Sequence, residues 1–210
     1  MITLVDLSRP TPHALEGALD HLGFAHVRAP HPDGAAGAGP LVIQGAGSFE
    51  EACVALKTSG WWFELPQWVA SGRPLLGIGL GLHLLAEGSE ECPKGAGLGL
   101  VPGIVRSLGP GVRLPHRGWA RVESHRDHPQ IPDPRGAWMF FDHAHALEPS
   151  AHTLQVARWG RPFAALELCG QCVGIQPHPC KSGSYGLAFL ERILAFLGER
   201  PETRPPEALN

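Results

Sequence analysis

Between Pro74 and Glu91 the chain reads PLLGIGLGLHLLAEGSEE, and no other stretch constrains the fold as tightly. Pro74–Ile78 predicts a buried strand, Gly77–Gly81 a sharp turn, and the residues after it a helix running through about Glu87. Small residues flank the turn because the two elements meet too closely there for larger side chains. A buried strand passing straight into a helix is the repeating step of an α/β fold. In enzymes with this geometry a nucleophile stands on the turn, on strained backbone, with its side chain thrust outward. The position that should hold it is Gly79, which has no side chain.

The flanking pattern supports the same class. Ile2–Leu7 and Phe24–Arg28 read as strands around a helix that opens at Thr11-Pro12 and carries Ala14, Leu15, Ala18, Leu19 and Leu22 at helical spacing. Ala29–Pro40 reads as a loop and Leu41–Ile43 as a third strand. Ser48 and Glu51 form a capping box for the helix that follows. After Gly103 the rhythm changes. Ile104–Leu108, Ala120–Glu123, Ala137–Phe141, Leu154–Trp159, Phe163–Leu168 and Cys172–Gln176 are short runs between turn residues, which predicts antiparallel strands. Tyr185–Leu197 is a closing helix. The expected architecture is one α/β domain over residues 1–200, a mostly parallel central sheet flanked by helices with an added antiparallel portion, and a flexible tail at 201–210.

Composition excludes some functions. Lys and Arg number 17 against 20 Asp and Glu, a net charge of −3, so there is no basic surplus for a nucleic-acid partner. The most apolar stretch, Pro74–Ala86, is too short to span a bilayer and contains His83, so no membrane partner is expected. The first residues, MITLVDLSRP, lack a basic leader region, and the 5 cysteines are odd in number without framework spacing. Reduced thiols and a cytoplasmic location follow as expectations. The 12 histidines are the compositional surplus.

The motifs then become specific. Pro74–His83 resembles P-x-L-G-I-C-x-G-M-Q, Glu87–Glu91 resembles E-x-S-E-E, and Gly97–Gly103 resembles G-L-G-L-x-P-G. Pro115–Trp119 resembles P-H-M-G-W, and Gly174–Gly183 resembles G-x-Q-F-H-P-E-K-S-G. Together these identify the chain as similar to class I glutamine amidotransferases, and within them to the glutaminase subunits of imidazole glycerol phosphate synthase. The resemblance covers essentially the whole chain. It implies the α/β fold above, glutamine as substrate, no cofactor, and a cyclase (HisF-like) barrel subunit as partner in a cytoplasmic heterodimer.

The departures fall on the chemistry. The family triad is an elbow Cys that attacks the amide, a His that moves protons, and a Glu that orients the His. The matching positions are Gly79, His178 and Cys180. The resemblance places Gly45, Ala46 and Gly47 in the oxyanion loop, and Leu80, His83, Glu87, His143, Ala144 and His145 in the substrate pocket. His83 stands where the family has Gln. Arg117, Trp119 and Lys181 match positions at the cyclase interface, whereas Ser8–Thr11 departs from the family's interface segment G-x-G-N. The expectation is a glutaminase-inactive chain, structural or regulatory toward a cyclase-like partner, that binds glutamine or another small ligand. The alternative is a working amidotransferase subunit, or a repurposed hydrolase or metal enzyme using His178 and Cys180.

Other readings of the same residues are weaker. Cys180 takes the Glu position behind the imidazole, so it is a poor candidate nucleophile. Cys169-Gly170-Gln171-Cys172 is a C-x-x-C, but the strand after it carries the pair away from His178, so two reduced thiols in a hairpin turn are expected and not zinc ligands. A small metal site built from His83, His145, His178 and Cys180 is chemically reasonable; the preferred expectation is no metal, with scattered polar groups in a repurposed cleft.

Overall fold

The computed structural model describes residues 1–7, 13–35, 39–45, 47–131 and 133–202, with Lys94 as backbone only. The helix-start signal at Thr11-Pro12, the Ser8–Thr11 segment, Ala46 and tail residues 203–210 lie outside the described residues.

In chain order the elements are β1 (Ile2–Val5), α1 (His13–Leu22), β2 (His26–Ala29), β3 (Leu41–Gly45), α2 (Phe49–Ser59), α3 (Trp61–Ala70), β4 (Leu75–Gly79) and α4 (Leu80–Leu85). They continue with β5 (Gly88–Ser89), β6 (Cys92–Ala96), β7 (Ile104–Ser107), β8 (His116–Ser124), β9 (Trp138–His143) and β10 (His145–Ala146). The last are β11 (Thr153–Trp159), β12 (Arg161–Cys169), β13 (Cys172–Ile175) and α5 (Gly183–Phe196).

Nine strands form one mixed sheet in the order β2-β1-β3-β4-β13-β12-β11-β8-β9. Pairings from β2 to β13 are parallel, and those from β13 to β9 are antiparallel. The run at Cys172 therefore faces both ways, antiparallel to β12 and parallel to β4. A four-stranded sheet, β10-β7-β5-β6, stands apart. In it β7, read from the sequence as antiparallel, pairs antiparallel with β10 but parallel with β5.

Alternation along the parallel strands divides the core between two faces. Ile2, Leu4, Val42, Leu76 and Ile78 pack with α1 and α5, and Val5, Leu41, Ile43 and Leu75 pack with α2, α3 and α4. Both faces of the parallel half are thus covered, as its near-continuous apolar strands require. The capping box forms: Ser48 Oγ accepts from Glu51 N, and a Glu51 carboxylate oxygen accepts from Ser48 N. The one helix expected after Ser48 is two. Gly60, at φ 85°, ends α2 in a left-handed turn, and α3 restarts at once with Trp61 and Trp68 buried. The helix after the elbow stops at Leu85, short of Glu87. The amides of Leu98, Leu100 and Val101 bond the carbonyls of Leu84 and Leu85 at 2.8–2.9 Å, and Ala86 is extended. That is the physical use of the Gly97–Val101 motif: it satisfies the carbonyls left open at the end of a very short helix. Among the described residues no helix is long and apolar enough to cross a membrane.

Candidate functional site

The site lies at the carboxyl ends of β3, β4 and β13, where ligands bind in open α/β sheets. Backbone packing fixes its floor. A Cβ on Gly81 would run into the carbonyl oxygen of Ile43, and one on Gly77 would stand 2.7 Å from the Gly81 carbonyl carbon. Helix α4 can therefore lie against β3 and β4 only where both glycines are bare. Between them Gly79 has φ 59° and ψ −111°, a conformation strained for any residue with a side chain. A Cβ at Gly79 would stand 3.3 Å from His178 Cε1 and 3.6 Å from Nε2. The elbow thus keeps the shape and direction of a nucleophile turn, aimed at an imidazole, without the nucleophile.

His178 is held by its own backbone. Pro177 and Pro179 flank it, its N–H donates to the Phe140 carbonyl at 2.8 Å, and its carbonyl accepts from Ser182 Oγ at 2.7 Å. Ser182 Oγ in turn accepts from Phe140 N at 2.9 Å. The imidazole itself makes no hydrogen bond among the described residues, and burial with the nearby Lys181 ammonium lowers its pKa to about 4. Cys180 does not take over the orienting role. Its side chain packs against the apolar cluster shared by α1, α5 and the sheet, and burial raises its thiol to about 11.

A cleft of about 470 Å³ opens over this floor. Of the positions expected in the pocket, Gly45, Gly47, Leu80, His83, His143, Ala144 and His145 line it together with His178. Two do not fit. Ala46 lies outside the described residues, and Glu87 is off the wall, its carboxylate accepting from Gly103 N at 3.1 Å. Glu91 stands on the wall instead, with Oε1 accepting from Phe49 N at 3.1 Å, the first amide of α2. Asp142 and Gln176 are further wall residues that the sequence reading missed. The signal for Glu91 was its place in the E-x-S-E-E motif; which of its carboxylates faces the cleft depends on where α4 stops.

His83, His143 and His116 are hydrogen-bonded through their rings. His83 Nε2–H donates to Gln176 Oε1 at 2.8 Å, and burial lowers its pKa to about 4. His143 Nδ1–H donates to the His145 carbonyl at 2.9 Å, which leaves Nε2 to accept from His116 Nδ1 at 3.2 Å. Burial holds His143 at about 3 and lowers His116 as well. His116 is stacked 4.1 Å from Trp159 and 5.2 Å from Phe141, and its Nε2 has no partner among the described residues. His143 and His145 lie on different strands, since Ala144 separates β9 from β10. No three His, Cys, Asp or Glu side chains gather as a metal site among the described residues. Cys169 and Cys172 pair across the β12–β13 turn as free thiols at the far end of β13 from His178, where burial raises them to about 11 and about 12.

The positions expected at a partner interface fall together around the Phe140 ring at the rim of the cleft. Trp119 is 48% exposed and meets Phe140 edge-on with ring centres 6.1 Å apart. Lys181 Nζ lies 5.6 Å from the same ring, and Arg117 pairs with Asp142 at 3.0 Å. Trp138, 56% exposed and opposite Arg121 in the register, adds a second exposed indole to this face.

Comparison with known proteins bears on these residues. No protein-family model matches the chain. It is 38% identical over 208 residues to the imidazole glycerol phosphate synthase subunit HisH of Symbiobacterium thermophilum, covering 97% of this chain and 98% of that protein. It is 32% identical over 200 residues to the chloroplastic imidazole glycerol phosphate synthase hisHF of Arabidopsis thaliana, covering 92% of this chain and 34% of that longer protein. A solved structure described as a glutamine amidotransferase superposes with a TM-score of 0.75 at 19% identity, over 95% of this chain and 100% of that one, a likeness of fold.

Proposed function

The chain belongs to the family of HisH subunits of imidazole glycerol phosphate synthase, the glutamine amidotransferases of histidine biosynthesis, and on that premise we propose that it is a member without glutaminase chemistry that serves a cyclase subunit structurally or as a regulator. One observation carries the reading: the elbow backbone is intact and aimed at His178, yet residue 79 offers no atom that could attack a carbonyl. The triad works as a unit, so losing the nucleophile alone removes most of the rate. The orienting carboxylate is also gone, which leaves the His178 tautomer unfixed. A hydrolase using Cys180 finds no support, because that thiol faces the apolar core and is protonated at neutral pH.

In this reading residues 1–200 act as one amidotransferase domain, with 201–210 as a tail, and the protein works in the cytoplasm as a heterodimer. Trp119, Arg117, Lys181 and the added Trp138 form the face that meets the cyclase barrel. The hisHF relative is consistent with such a pairing, since this chain matches only 34% of it. The test measures ammonia release from glutamine by the purified chain, alone and with the cyclase subunit from the same genome. The expected result is no turnover in either case, with a stable complex on size-exclusion chromatography. A rate typical of an amidotransferase overturns the proposal.

A further inference from the structure

We propose that the space ahead of Gly79 is an acceptor-oxygen subsite, so that the cleft holds an amino acid with a terminal carboxylate, such as glutamate, in preference to its amide. The inference rests on the family reading and on the absence of turnover, and it names the ligand class of the same cleft.

Three features of the cleft support it. The first is room: Gly79 contributes no side chain, and the direction its Cβ would take ends on His178, which itself forms part of the wall. A nucleophile at this position would fill that space; here a ligand oxygen can enter it. The second is the donor. In a working triad the Glu holds the imidazole proton on Nδ1, so that Nε2 is a base facing the substrate. Cys180 is turned into the core and supplies no carboxylate, so nothing fixes the proton on Nδ1. The Nε2 edge can then carry the proton and donate it in a hydrogen bond toward the gap. A neutral amide and a carboxylate both accept such a bond, but the charged acceptor makes the stronger one.

The third feature is charge. Lys181 lines the cleft close enough to His178 to influence its titration, and its ammonium has no carboxylate partner among the described residues. Arg117 is paired with Asp142, so that pair adds little net field. His83, His143 and His145 are the other titratable side chains on the wall, and Glu91 is engaged with the Phe49 amide. The formal charges on the wall cancel, but of its charged groups Lys181 acts most strongly on His178, ahead of Asp142, so the local field at the gap is positive. A terminal carboxylate placed there gains a donor and a cation that an amide uses less well.

The test titrates the chain with L-glutamate and with L-glutamine by calorimetry, and the same samples are assayed for ammonia. Glutamate is expected to bind about tenfold more tightly than glutamine, the worth of one charge-assisted hydrogen bond over a neutral one. His178→Leu, which cannot donate, should remove most of the preference, and His178→Gln, which can, should keep most of it. Nitrogen-15 NMR of the glutamate complex should show the His178 proton on Nε2. Equal or tighter binding of glutamine, binding of neither, or a preference unchanged in His178→Leu overturns the proposal. Ammonia release would instead overturn the functional reading beneath it, so the two failures are distinguishable.

Discussion

The elbow and the turn that carries His178 face each other across the same cleft, but they are built by opposite means. At the elbow, backbone packs on backbone: α4 touches β3 and β4 through bare glycines, and the 98–101 amides hold the end of the helix. At the turn, two prolines and the Ser182 hydroxyl hold the chain, and the side chains around it are free to vary. The difference shows how an elbow can hold its shape with no side chain at its tip. None of the contacts that shape the elbow involves a side chain at residue 79, so the nucleophile can be lost while the strained backbone stays. Nothing in the turn depends on a carboxylate at residue 180, so a cysteine there settles into the neighbouring apolar cluster.

If this contrast holds, changes at the two places should differ in scale. The largest effect belongs to Gly81→Ala, whose Cβ meets the Ile43 carbonyl oxygen of a central strand that cannot yield. It should destabilise the chain by about 3 kcal/mol or more in urea unfolding. A cost under about 1 kcal/mol would mean that the elbow is looser than its geometry implies.

Acid comes next and probes both places, through His83, buried on the elbow's helix, and His178 in the turn. The folded-state pKa of His83 is about 4 against an ordinary 6.5, so as pH falls the unfolded chain takes up that proton first. Stability is then complete above about pH 6.5, falls between about 6.5 and 4, and is flat with respect to this group below that range. His83 alone accounts for roughly 3 kcal/mol of this decline. His83 and His178 are both held at about 4, so His83→Gln and His178→Gln should each flatten the unfolding free energy between pH 7 and 5. A slope unchanged by either substitution would show that the histidine it removes is not held neutral by burial.

The smallest effect is expected in the turn itself. Ser182→Ala removes the donor to the His178 carbonyl and the acceptor for the Phe140 amide of β9, and it should cost about 1–2 kcal/mol in the same measurement. A loss as large as that of Gly81→Ala would erase the contrast.

Much of this was legible in the sequence. The apolar runs and glycine spacing placed β4, the elbow and the parallel half of the sheet, and the H-P-x-K-S-G motif placed His178. What escaped reading depended on where elements stop. Trp61 continues an apolar pattern across Gly60, so two helices read as one until the left-handed glycine is seen. Glu87 and Glu91 are four residues apart, and the 98–101 amides decide which reaches the cleft by ending α4 at Leu85. The His116–His143 bond joins residues 27 apart on paired strands, and no local pattern announces such a contact.

The turn at His178 has one more consequence. β9 is an outermost strand of the nine-stranded sheet, and at Phe140 its outward amide and carbonyl are taken by Ser182 Oγ and His178 N. An open edge of this kind invites pairing with another chain. The loop that carries His178 therefore also works as a plug against edge-to-edge association. Closing that edge is a use for the loop that does not depend on any chemistry at His178.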